Sequence, residues 1–179
     1  KRQVPAYAAM RETEGDAAAT RLAGEVQTTL FAVLCGLVVL GEIFMPAIIS
    51  VLAPGFAETP DRMDAAIALA RVTFPYLTLI SLAAFWAALA NAHGRFMAAA
   101  AMPLIFNLCM IGGALVIPVA SGWLTTERAM PIAAALLIAG VLQLGAMGLL
   151  LRRRKLMPRW RMPRVGAAAR RMWRTFGVA

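Results

Sequence analysis

The chain has 179 residues, of which 61% are hydrophobic and only 15% charged, with a mean hydropathy of +0.72; that balance excludes an ordinary water-soluble domain. Its 18 Lys and Arg against 9 Asp and Glu give a net charge of +9, but the cations crowd the loops and the C-terminal tail between apolar runs, as on the inner face of a membrane protein. Nucleic acid is therefore not an expected partner, whereas membrane phospholipids are.

Several apolar runs approach the ~20 residues a helix needs to cross ~30 Å of hydrocarbon. The expected fold class is all-α, a polytopic transmembrane helical bundle. Residues 1–27 read as a cytoplasmic loop and an amphipathic lead helix that begins near Gly15-Asp16, where Asp16 can cap it. Span one is 28–53, closed by Pro54-Gly55-Phe56. In the loop 54–71, Thr59-Pro60-Asp61 supplies an N-cap, a proline suited to the first turn and an acid suited to the dipole, which predicts a short helix. Span two is 72–91, with Pro75 near its entrance, and a tight turn at 92–97 leads into span three at 98–119. A loop at 120–129 carries Ser121-Gly122-Trp123, span four is 130–151, and Arg152, Arg153, Arg154 and Lys155 stop it.

Of the 18 Lys and Arg, 15 fall on the side of the two termini and the 92–97 turn, and only Arg62, Arg71 and Arg128 on the other. The positive-inside rule then puts both ends of the four spans in the cytoplasm and the loops at 54–71 and 120–129 in the periplasm. Beyond Met157-Pro158 and Met162-Pro163, which break the helix, Val165, Ala168, Met172, Trp173 and Phe176 recur at helical steps among arginines. This basic segment, 152–179, either lies in the headgroup layer or opens a further span. Trp123 and Trp173, with the run at 152–155, are the expected interfacial anchors. The chain opens on Lys1-Arg2-Gln3 without a signal-peptide pattern and stops just past the basic stretch, which reads as an internal piece of a longer protein.

Cys35 and Cys109 each lie inside an apolar run and behave as small hydrophobes, with no metal-ligand spacing. No metalloprotease, nucleophile-elbow, Walker or dinucleotide motif occurs, so neither catalysis nor a cofactor is expected. The one histidine, His93, lies in the cytoplasmic turn beside Arg95 and reads as a solvated or headgroup-facing residue. Small residues such as Ala84, Ala88, Gly112, Gly113 and Gly140 read as close helix-packing positions.

Glu42 is the ionisable residue well inside a span, ~21 Å along the helix from Thr28 at ~1.5 Å per residue. A charge at depth costs at least ~2.5 kcal/mol. Glu42 therefore either couples transport to a proton or cation, or reaches the periplasmic interface past a kink at Pro46. Asn107 and Gln143 are lone amides in spans three and four, expected to bond across helices or to line a substrate path. Asn91 and Arg95 close the hairpin, as a helix cap and a snorkelling anchor or as contacts for anionic phosphate.

The run Val51-Leu52-Ala53-Pro54-Gly55-Phe56, then Phe74-Pro75-Tyr76-Leu77 with Leu79-Ile80-Ser81-Leu82, resembles the lipid II flippase family, MurJ, in wording and order. So do Asn91 followed by Arg95-Phe96, Pro103-Leu104-Ile105-Phe106-Asn107 with Met110-Ile111-Gly112, and Gly140-Val141-Leu142-Gln143-Leu144, while Val4-Pro5 looks like the end of a preceding helix. The resemblance covers most of the chain. It implies the multidrug/oligosaccharidyl-lipid/polysaccharide exporter fold, with about fourteen helices in two lobes around a cationic cavity, of which this chain looks like helices three to six. It implies as cargo a lipid-linked peptidoglycan precursor, moved to the outer leaflet by alternating access, and as partners the remaining helices of the parent protein. The family's substrate-contacting arginines lie outside these helices, so none is carried over. Glu42 and Ala139 depart from the family's apolar residue and second glycine. Two rival readings are an exporter of another polyprenyl-linked saccharide or amphipathic drug, and a non-transporting scaffold that recruits cell-wall enzymes through its basic tail.

Overall fold

The computed structural model describes residues 16–116 and 126–161, and they are helical with no strand among them. Trp123 and Trp173 lie outside these residues, as do the amphipathic pattern at 165–176 and the end of span three. Helix α1 is Asp16–Leu52, α2 Pro60–Thr73, α3 Tyr76–Ala92, α4 Phe96–Ala100, α5 Met102–Leu115 and α6 Thr126–Arg153, with a 3-10 turn at Pro54–Glu58. Among the described residues, three helices are long and apolar enough to cross a membrane, Thr20–Leu52, Pro60–Ala92 and Ala129–Arg153, and Met102–Leu115 is a shorter apolar helix.

The lead helix and span one are one uninterrupted rod: at ~1.5 Å per residue, the 37 residues of α1 reach ~55 Å. The helix runs through Pro46, whose missing N–H leaves the carbonyl four residues earlier, that of Glu42, without its helical donor. α2 begins on Pro60 with Thr59 at the cap position in extended backbone and Asp61 in the first turn, but the Thr59 hydroxyl makes no capping bond; the cap contributes through backbone shape alone. The α2–α3 junction is a proline interruption. Phe74 and Pro75 keep helical dihedrals, and Leu77 and Thr78 donate three residues back to Phe74 and Pro75. Pro103 interrupts α4 and α5 in the same manner, with Ala101 helical between them.

The hairpin turn is a Schellman motif. Arg95 N donates to Ala90 O at 3.0 Å and Gly94 N to Asn91 O at 2.9 Å, with Gly94 at φ +71°. The end of α6 repeats it: Leu156 N bonds Leu151 O at 2.8 Å and Lys155 N bonds Arg152 O at 3.1 Å. Here Lys155 holds the left-handed position at φ +57°. That turn, not Pro158, ends the helix. The two sites predict opposite signs: Gly94→Ala lowers stability by about 1–2 kcal/mol, and Lys155→Gly raises it by about 1 kcal/mol. Denaturant titration of the reconstituted chain measures both.

In space α3 is central, packed on α1 and α6; α5 packs on α6, and α2 bridges α1 and α6. The main core gathers at the end nearest the hairpin, from Ala23, Leu82, Trp86, Ala90, Met102, Met147 and Leu151 among others. Small residues make the close crossings: a Cβ on Gly140 would meet the Tyr76 ring, and one on Gly113 would meet Ala135, although Gly112 faces open space and Ala84 is exposed. The outer face of α1 is apolar and bare, with Val33, Leu37, Leu40, Phe44 and Val51 all exposed. In water such a stripe is a liability; in lipid it has no solvation cost.

Candidate functional site

The polar groups inside the bundle fall into two levels. At the hairpin level, Trp86 Nε1 donates to Gln27 Oε1 at 2.8 Å, joining α1 to α3. Gln27 is fully buried, and its Nε2 has no partner. Gln143, also buried, donates from Nε2 to the Met102 carbonyl at 2.9 Å, joining α6 to α5, while its Oε1 is unpartnered. Asn91 is half-buried on the last turn of α3 with Oδ1 unpartnered, and His93 Nδ1 lies 2.9 Å from the Leu89 carbonyl. Arg95 is exposed.

At the other level Glu42 is alone of the predicted set. Residues 27 and 42 are ~22 Å apart along α1, so Glu42 does not share a site with Asn91, Arg95 or Gln143. Its carboxylate Oε2 lies 4.0 Å from Arg71 Nε near the end of α2. The pair is partly open, with the Glu42 side chain 31% and the Arg71 side chain 49% exposed, yet Glu42 Oε1 is covered and has no hydrogen-bond partner. The approach is made possible by Gly41, since a Cβ there would collide with the Phe74 ring. Each member of the pair precedes a proline by four residues, Glu42 before Pro46 and Arg71 before Pro75, so each also has a backbone carbonyl without its helical N–H. The pair thus joins two charged side chains whose own carbonyls each lack the i+4 N–H.

Asn107 lies exposed on α5, with no hydrogen bond across this bundle among the described residues. Residues 152–155 are exposed at the end of α6. Sequence reasoning missed Gln27 and Trp86, although a tryptophan in mid-span whose N–H must find an acceptor was a usable signal. It also counted Arg71 with the loop cations rather than as the partner of Glu42.

The wording of these helices has a match. The family profile for lipid II flippase MurJ aligns with residues 3–179. This chain belongs to the MurJ family. Proteins named probable lipid II flippase MurJ are similar to it: that of Rhizobium tropici is 38% identical over 142 residues, covering 79% of this chain and 26% of the relative. That of Rhizobium meliloti (strain 1021) is 32% identical over 174 residues, covering 94% and 32%, and that of Rickettsia prowazekii (strain Madrid E) is 34% identical over 126 residues, covering 70% and 24%. The chain spans about a quarter to a third of the length of these MurJ relatives. As a MurJ-family member with long, apolar, outward-bare helices, it is an all-α membrane bundle.

Proposed function

We propose that this chain is part of a transporter that moves lipid-linked peptidoglycan precursor, lipid II, from the inner to the outer leaflet of the bacterial cytoplasmic membrane by alternating access, for cell-wall synthesis. The observation that carries this reading is the MurJ match along nearly the whole chain, residues 3–179. The short length relative to the curated relatives supports a role as one section of a larger bundle, completed by further helices. A flippase makes and breaks no bonds; it lowers the cost of drawing a polar headgroup through hydrocarbon.

Within that reading the chain crosses the membrane four times with both ends and the hairpin in the cytoplasm, supported by 15 of 18 Lys and Arg lying on that side. Gln143 braces α5 against α6, and Asn91 and Arg95 close the hairpin. Asn107 is exposed and makes no hydrogen bond across the bundle among the described residues, so it is the residue of the set assigned to the transport path or to a neighbouring helix. Glu42 is assigned with Arg71 as a bracing pair near the periplasmic level.

The test is depletion of the host flippase in cells that carry the gene for this protein. Growth should be rescued, and lipid II should become accessible at the outer leaflet to a reagent that cannot cross the membrane. Rescue of another polyprenyl-linked saccharide's export without restored lipid II exposure would replace this cargo.

A further inference from the structure

After the Schellman turn at Lys155 the chain does not leave the bundle. Residues 158–161 lie as a strap along α1 between Gly24 and Phe31. Pro158 is fully buried. The Arg159 carbonyl occupies the place where a side chain on Gly24 would begin, and Arg161 N donates to Thr28 Oγ1 at 3.2 Å. Thr28 can accept because its own hydroxyl proton goes to the Gly24 carbonyl, 2.9 Å away. Trp160 meets Phe31 edge to face, centroids 5.3 Å apart and planes at 77°. Gly24, Thr28 and Phe31 are spaced by four and three residues, so they form one stripe of α1, a notch shaped to this strap.

The strap fixes what it carries. Trp160 and Phe31 remain 51% and 39% exposed, an aromatic pair where the apolar part of α1 begins. Arg159 and Arg161 flank the indole and are exposed, as is the basic run at 152–155 just before them. The described acid on this part of α1 is Glu25, one turn from the exposed Arg21. An exposed indole prefers the membrane interface, and arginine pairs with phosphate oxygens in a bidentate manner, so an exposed Trp160 between Arg159 and Arg161 in sequence suits the headgroup of an anionic phospholipid. We propose that the strap at 158–161, seated on Gly24, Thr28 and Phe31, is a built binding site for an anionic phospholipid headgroup in the leaflet next to the hairpin. The site depends on the membrane-spanning reading and not on the identity of the transported lipid.

The test reconstitutes the chain in nanodiscs of mixed phosphatidylglycerol and phosphatidylcholine and measures, by native mass spectrometry, which lipid stays bound on release. The wild type should retain phosphatidylglycerol selectively. Arg159→Gln with Arg161→Gln should lower that retention about 25-fold, at roughly fivefold per arginine near an anionic surface. Gly24→Ala and Thr28→Val leave every charge in place but unseat the strap, and each should lower it at least about fivefold. Thr28→Val is close to isosteric and keeps the test valid where Gly24→Ala disturbs folding. Retention unchanged in Thr28→Val while the arginine variant falls would mean that loose charge attracts the lipid, and the proposed site would be lost. Equal displacement of phosphatidylglycerol by inorganic phosphate would likewise overturn it in favour of a free-anion site.

Discussion

Trp86→Ala is expected to be the most destabilising single change in the bundle, by about 3–5 kcal/mol. Trp86 is 6% exposed and belongs to the core cluster joining α1, α3, α5 and α6; its ring also lies against the backbone of α6 at Gly148. Truncation would open a cavity where those helices meet and remove the hydrogen bond to the fully buried Gln27 Oε1, whose Nε2 has no partner among the described residues. Trp86→Phe separates the two losses. It keeps most of the ring volume but not the N–H, and interhelical polar bonds in membranes average ~0.6 kcal/mol, so the Phe variant should lose about 1 kcal/mol. Unfolding in mixed micelles with increasing SDS measures both; equal losses in the two variants would mean that the hydrogen bond, rather than packing, is what holds the crossing.

Arg71→Ala should have the next largest effect, up to about 2.5 kcal/mol, because it strands the Glu42 carboxylate within a span with neither a cation nor a full shell of water. Glu42→Gln should cost less, since an amide at that level needs only hydrogen bonds and the remaining Arg71 is half exposed. The double variant should therefore be more stable than Arg71→Ala alone, a non-additivity of the kind a double-mutant cycle isolates. In transport, Glu42→Gln should leave the rate unchanged across pH if the pair is a brace. A rate that lost its pH dependence in this variant would make Glu42 a coupling residue instead.

The sequence announced the helices because apolar length is a direct requirement of the bilayer, and the words from Val51 to Leu144 announced the family. The proline and glycine punctuation was readable too, but its effect was not. Pro46 lies inside a continuous α1, whereas helix boundaries fall beside Pro75 and Pro103, although each removes one backbone donor. What a single sequence does not carry is which residues meet across helices. Glu42 was visible as a cost, but its partner Arg71 is 29 positions away and looked like a loop charge. Gln27 lies before the apolar run, at the end of the amphipathic lead, and nothing marked it as the face that is fully buried against Trp86. Gly24 gave no sign at all: its lack of a side chain matters only because a strap from the far end of the chain, 135 positions on, lies over it.

That strap brings the end of α6 onto α1, which agrees with the proposed four crossings. Single-cysteine labelling tests the resulting topology, in a background where Cys35 and Cys109 are replaced by alanine. His93→Cys, in the hairpin, should react with a membrane-impermeant maleimide only after the inner membrane is opened. Gly55→Cys, in the turn that follows α1, should react in intact spheroplasts. Labelling of His93→Cys from outside, with Gly55→Cys protected, would invert the bundle and remove the charge asymmetry as its cause.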